Sequence, residues 1–414
     1  MIQQLWRIRL FLKPYIGRVF LNFFLLLSVS LVSLAIPQII RRVIDEGIST
    51  GNLGIIGQYA LAILIIGCFG AILSFFQRFT AQWIGARIGY DLRNALYDHI
   101  QRLPFSFHDH TQSGQLISRC IEDVRAIQEF AGNSLVEWAQ LVIYSTGITI
   151  MLLREQPMLG LIALAPMLPL FLLAFEFGNR ITRLFYKVDA ALGDLSTTLQ
   201  ENVTGAQVVR AFAREDHEIG RFDRSNNAYY HARLEVLRNW GTLFPTAQWL
   251  VTLSTILLLW FGGQMVLRHE LTIGTLVAFN ALILLLSAPV QQLTWLVNNS
   301  GEAAAGVQRV WEILDTIPEI RSPEDAVSAE NIQGALQFNG VSLQYKYETN
   351  ESLRNIDLTV SQNQVVALIG STGSGKTSLI NLIPRFYEIT SGSLLIDGVD
   401  VRNYDLIGCL LYTS

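Results

Sequence analysis

Cysteine is scarce: the three in the chain, Cys68, Cys120 and Cys409, are scattered with no paired spacing, which gives neither a disulfide framework nor a zinc site. Charge is scarce as well, at 15% of 414 residues. The balance of 30 basic against 34 acidic residues leaves a net charge of −4 with no long basic run, so nothing here suggests a nucleic-acid partner. The short run His108-Asp109-His110 offers metal-ligating types, but a polar loop accounts for it with fewer assumptions. What the chain has in excess is apolar side chains, 51% of all residues at a mean hydropathy of +0.35, and that excess marks a membrane protein.

The apolar residues are gathered into runs. The first dozen residues mix bulky apolar side chains with arginine and lysine up to Pro14, as a helix lying in the membrane interface would. A cleaved leader is the weaker reading, because the apolar run that follows continues too long and shows no small-residue cleavage site. Residues 19–40 suffice to span a bilayer core, which takes about 20 residues. Further runs at 55–76, 135–153, 159–177, 249–267 and 273–297 bring the expectation to six spans.

Three connections between these runs are short and two are long, at 77–134 and 178–248. Arginine recurs through both long ones, which places them and the N-terminus on the cytoplasmic side. Ile84, Ile88, Leu92, Leu96 and Ile100 repeat at helical spacing, so the second span is expected to continue as a helix about 40 Å past the membrane. Pro104 and Gly114 bracket a break at its far end, and a second break is expected near Thr204-Gly205. Each long connection then reads as a helical hairpin, either simply solvated or acting as a rigid lever whose tip docks on another domain.

Composition turns soluble after a stretch rich in proline and acidic residues, which divides the chain into a membrane domain at 1–317, a linker at 318–333 and an α/β domain at 334–414. Within the last lies Gly370-Ser371-Thr372-Gly373-Ser374-Gly375-Lys376-Thr377-Ser378, which fits the phosphate-binding pattern G-x-x-x-x-G-K-[ST]. The apolar run 365–369 before it is expected to be a strand, and residues 379–383 after it a helix. The glycines free the backbone to wrap its N–H groups round a phosphate. Lys376 would reach the β and γ phosphates of ATP, and the Thr377 hydroxyl would hold Mg²⁺. Asp397-Gly398 marks a hairpin turn.

Membrane spans, levers and phosphate loop in this order resemble an ATP-binding cassette exporter half-transporter, a six-span helical domain fused to a P-loop nucleotide-binding domain. The residues from Leu103-Pro104-Phe105 to Asp123 are similar to the family's first coupling region, and those from Glu201 through Gly205 to Phe212 to its second. The resemblance thus assigns coupling to Phe105, Phe107, His108, Asp109 and Gly205. Val341 to Tyr345 is similar to the segment whose aromatic residue stacks on adenine, which makes Tyr345 the base-stacking candidate; the plainer alternative is an aromatic packed in the core. A second half-transporter, identical or different, is the implied partner, with membrane lipid as the medium and the cassette in the cytoplasm, in keeping with a bacterial plasma membrane.

The family's later elements, a glutamine loop, a signature, an acidic pair and a switch histidine, do not follow the hairpin. The resemblance therefore puts the catalytic acid beyond Ser414, and residues 407–414 read as a foreign tail. ATP-driven export of a drug, lipid or peptide is the function implied for the intact protein; a half that binds ATP without hydrolysing it is the alternative. Polar residues within the spans, Gln140, Glu176, Gln264 and Asn280, are the candidates for lining a substrate cavity.

Overall fold

A computed structural model describes residues 2–323, 325–328, 332–346 and 348–406. The expected tail at 407–414 and parts of the expected linker lie outside the described residues. The chain divides into two compact units: residues 1–91 with 125–307, and residues 92–124 with 308–414. The segment Leu92–Val124 thus belongs with the cassette.

The first unit is helical throughout, as backbone that must satisfy its own hydrogen bonds in lipid requires. Five helices are long and apolar enough to cross a membrane: Gln3–Ile48, Leu53–Gln101, Ser113–Glu155, Pro157–Thr204 and Glu215–Leu267. The sixth expected span falls on the helix Ile273–Leu314, whose apolar stretch Ile273–Ser287 is shorter. Among the described residues, length and composition therefore mark five spans rather than six. The core gathers Leu152, Leu159, Met167, Leu258 and Phe279, all nearly inaccessible to solvent. Polar pins cross it: Asn22 Nδ2 donates to the Gln77 carbonyl at 2.7 Å, and Trp138 Nε1 donates to Ser300 Oγ at 3.1 Å.

The helical spacing in the first long connection is borne out. The helix Leu53–Gln101 runs unbroken, and Ile84, Ile88, Leu92, Leu96 and Ile100 form a buried stripe along it. Gly85 lets this helix approach another closely: a Cβ there would stand 2.7 Å from the Gln128 carbonyl oxygen and 2.9 Å from Gly132 Cα. The expected break beyond Pro104 is a short helix, Phe105–His110, followed by a second, Ser113–Ser118. The expected break at Gly205 falls between the helices Met167–Thr204 and Ala206–Ala211.

In the second unit, strands β1 (Leu336–Leu343), β2 (Leu353–Val360), β3 (Ser391–Ile396) and β4 (Val399–Asp400) form an antiparallel sheet in the order β2-β1-β3-β4. The hairpin at Asp397-Gly398 forms as expected, with Ile396 paired to Val399 and both turn residues at positive φ, 50° and 80°. Its core joins Phe338, Val341, Leu343, Leu382, Leu394 and Ile396. The expected strand at 365–369 does not form. A strand needs hydrogen-bonding neighbours, and none of the described strands pairs with this run, so Val365 and Ile369 stand 96% and 94% exposed.

Candidate nucleotide and coupling site

The phosphate loop ends in a seven-residue helix, Lys376–Leu382, whose Leu379 and Leu382 sink into the cassette core. Two glycines give the loop its path. Gly373 and Gly375 lie at φ 83° and 86°, in the left-handed region that side chains disfavour. At Gly375 space is short as well, since a Cβ would stand 2.7 Å from Leu353 Cδ2. Lys376 folds back over the loop, and its ammonium donates to the carbonyls of Gly370 at 2.9 Å and Ser371 at 2.7 Å and to Ser374 Oγ at 3.1 Å.

The Thr377 side chain is exposed beside it, and so are Ser371 and Thr372. Backbone N–H groups in a loop of this shape, one lysine ammonium and one free-standing hydroxyl are the donor set that a magnesium-bound triphosphate takes. The residues therefore fit ATP with Mg²⁺. Ser378 is engaged differently: its Oγ accepts from the Tyr345 phenol at 2.8 Å.

Tyr345 joins the phosphate loop to a second group of aromatics. Its ring meets that of Tyr387 edge to face, with centroids 4.9 Å apart. The Tyr387 hydroxyl donates in turn to Asp109 Oδ2 at 2.8 Å. Burial first, and then the Asp109 carboxylate, push the Tyr387 phenol well above its ordinary range, so it stays protonated and keeps its role as donor.

Phe105 lies against Phe386, with ring centroids 4.4 Å apart, and the His110 ring bonds to the Lys346 carbonyl at 3.0 Å. Of the coupling candidates, then, Phe105 and Asp109 touch the cassette, whereas Phe107 and His108 pack on each other, 5.6 Å apart. Gly205 sits at φ −89°, where any residue is at ease, flanked by the exposed Val203, Val208 and Phe212.

Phe386 and Tyr387 were not singled out in the sequence: they follow no motif and become visible only through their contacts, while His110, read there as part of a polar loop, proves to bond across to Lys346. A cavity of about 610 Å³ lies beside them, between Leu103, Phe105, Ile320, Arg385 and Phe386. Asp123, nearly buried, is held by Arg309 through two hydrogen bonds of 2.5 and 2.9 Å.

In the membrane unit, Gln140 lines a cavity of about 300 Å³ together with Arg78, Glu137, Tyr144 and Gln292. The other three cavity candidates lie apart from it. Glu176 and Gln264 are exposed, and the Asn280 side-chain carbonyl is buried without a hydrogen-bond partner.

A helical membrane unit and a phosphate-loop cassette in one chain define a multi-pass integral membrane protein with a nucleotide-binding domain. Comparison with known families places it more closely. Residues 19–290 match the ABC transporter transmembrane region and residues 353–408 match the ABC transporter family itself; the chain belongs to the ABC transporters.

It is 31% identical over 404 residues to a protein of Bacillus subtilis (strain 168) named "Putative multidrug export ATP-binding/permease protein YgaD", covering 95% of this chain and 69% of that one. It is also 31% identical over 396 residues to the ATP-dependent lipid A-core flippase of Syntrophus aciditrophicus (strain SB), covering 95% of this chain and 65% of the flippase. The chain thus spans about two thirds of the length of these relatives.

Proposed function

We propose that the intact protein is an ATP-driven exporter of hydrophobic or amphipathic compounds, working with a second half-transporter by alternating access. The relatives' names, multidrug export protein and lipid flippase, support export and a cargo of this class. The observation that carries the mechanism is the continuous path Ser378–Tyr345–Tyr387–Asp109, which runs from the helix of the phosphate loop to the helix Phe105–His110. In this reading Tyr345 stacks on the bound base, and Asp109 with Phe105 passes that state to the helices of the membrane domain. Nucleotide can drive the cycle only through a difference in affinity between the two states of the dimer.

The residues of the chain divide the work. Loop N–H groups and Lys376 bind the β and γ phosphates, and the Thr377 hydroxyl is a ligand for Mg²⁺. Bound Mg²⁺ neutralises phosphate charge. The division of the chain into a membrane domain at 1–317 and a cassette from 334 is kept as part of this reading.

The test is Lys376→Ala in the full-length protein, reconstituted in proteoliposomes. Loss of both ATP hydrolysis and ATP-dependent cargo movement is expected, because the phosphates lose their main cation. Cargo movement at the wild-type rate would overturn the assignment. A wild-type protein that binds ATP, never hydrolyses it and moves nothing alone would establish the regulatory half instead.

A further inference from the structure

We infer that the membrane unit holds a headgroup site for a zwitterionic amphiphile, with Glu137 taking the cationic group and Arg78 the anionic one. This rests on the exporter reading and names the class of cargo. Two cavities, of about 300 and 380 Å³, share the same three polar wall residues, Arg78, Glu137 and Gln140. Arg78 comes from the helix Leu53–Gln101. Glu137, Gln140 and Tyr144 come from the helix Leu135–Glu155, where spacings of three and four residues set them on one face.

On both linings Arg78 is the one cation and Glu137 the one anion among the described residues. Elsewhere the protein pairs such groups directly. Arg41 bonds Glu155 at 2.6 Å, and Arg309 grips Asp123. Here it does not: among the described residues no ion pair joins Arg78 to Glu137, and Glu137 Oε2 is closed off from solvent with no hydrogen-bond partner.

Arg78 is exposed, whereas Glu137 keeps one carboxylate oxygen closed off from solvent with no partner, and an uncompleted carboxylate in a membrane unit is costly. A purely anionic headgroup would answer Arg78 and be repelled by Glu137, and a purely cationic one would meet the reverse. A headgroup carrying both charges answers both, and Gln140, with a donor and an acceptor, sits beside either. Each cavity, at about 300 and 380 Å³, is at the small end of ligand sites and has room for a headgroup. Leu285 and Leu296 in the smaller cavity, or Ala81 and Val136 in the larger, would take the first methylenes of a tail.

The experiment titrates the purified chain, in an uncharged maltoside detergent, with short-chain phosphatidylethanolamine, short-chain phosphatidylglycerol and an alkyltrimethylammonium. A free apolar tripeptide and its N-acetylated form distinguish a lipid headgroup from a peptide zwitterion as the source. Phosphatidylethanolamine, the free tripeptide or both should bind about tenfold tighter than the singly charged probes. Glu137→Gln should weaken the zwitterion about tenfold and favour the anionic probe; Arg78→Gln should weaken it equally and favour the cationic one.

Equal binding of all probes, or the same preferences in both variants with helix content and elution unchanged, would overturn the site. The exporter reading fails separately. Selective binding without ATP-dependent movement in the full-length protein would leave the site and remove the transport, whereas ATP-driven export indifferent to Glu137→Gln would do the opposite.

Discussion

The Tyr387 hydroxyl and the Asp109 carboxylate are 278 residues apart in the chain and 2.8 Å apart in space. Asp109 sits on a helix only six residues long, Phe105–His110, which has little stability of its own. Its place is set by this bond, by the packing of Phe105 on Phe386 and by His110 on the Lys346 carbonyl. Tyr387→Phe keeps the ring against Tyr345 and removes only the bond to Asp109. In the full-length protein ATP affinity should stay within about twofold, while cargo moved per ATP hydrolysed falls, since the bond contributes about 1 kcal/mol. Parallel ATPase and flux measurements decide it, and an unchanged ratio would remove the bond from the coupling path.

Gly373 and Gly375 share a left-handed backbone but not their surroundings. A Cβ at Gly373 meets nothing within 4 Å, whereas one at Gly375 meets Leu353 Cδ2 at 2.7 Å and the Ser352 carbonyl oxygen at 3.0 Å. Gly373→Ala should cost about 1 kcal/mol for the backbone alone, and Gly375→Ala about 1–3 kcal/mol more for the clash. Hydrogen exchange in the helix Lys376–Leu382 would show the difference, and equal protection in the two variants would contradict it.

Acid should loosen the segment that precedes β1. Asp397 loses some hydration, which opposes its ionisation, but the N–H groups of Ala335, Gln333 and Gly334 outweigh that and hold its carboxyl below the usual range. Asp400 is held low chiefly by its hydrogen bond with Arg402. A carboxyl depressed in the folded state contributes stability that is full above its unfolded pKa, about 3.9, and is lost as pH falls through the folded value. Protection of the Gln333 and Ala335 amides should therefore decline below about pH 4. Asp397→Asn should remove most of that decline, and a pH profile identical to wild type would rule the carboxylate out.

Gly85 sets how closely two helices of the membrane unit approach. Gly85→Val pushes on the Gln128 carbonyl and on Gly132, both of them backbone, and should cost about 1–3 kcal/mol. Gly67→Ala, where a Cβ meets nothing within 4 Å, is the control. Thermal unfolding in detergent should separate the two, and matching midpoints would show that the crossing yields without cost.

Much of this architecture is legible in the chain because it rests on local pattern. The repeat at Ile84, Ile88, Leu92, Leu96 and Ile100 announces its buried stripe, and the phosphate loop carries its own spacing. The path from Tyr345 through Tyr387 to Asp109 is not legible, since edge-to-face rings and one phenol bond across 278 residues leave no periodic trace. The run 365–369 shows the converse: apolar, strand-length sequence states a preference, but pairing decides whether a strand exists. Glu137 escaped notice because it stands at the edge of its span, where a charge looks ordinary; only the burial of one carboxylate oxygen without a hydrogen-bond partner makes that charge conspicuous.

The grip of Lys376 on Gly370 and Ser371 makes phosphate binding an exchange rather than an addition. An incoming group must replace two carbonyls and a hydroxyl around one ammonium, and a neutral acceptor gains little by replacing another neutral acceptor. Only a concentrated negative charge repays the opening of the loop. On the proposed reading the loop acts as a threshold that favours a concentrated negative charge over weak, neutral ligands.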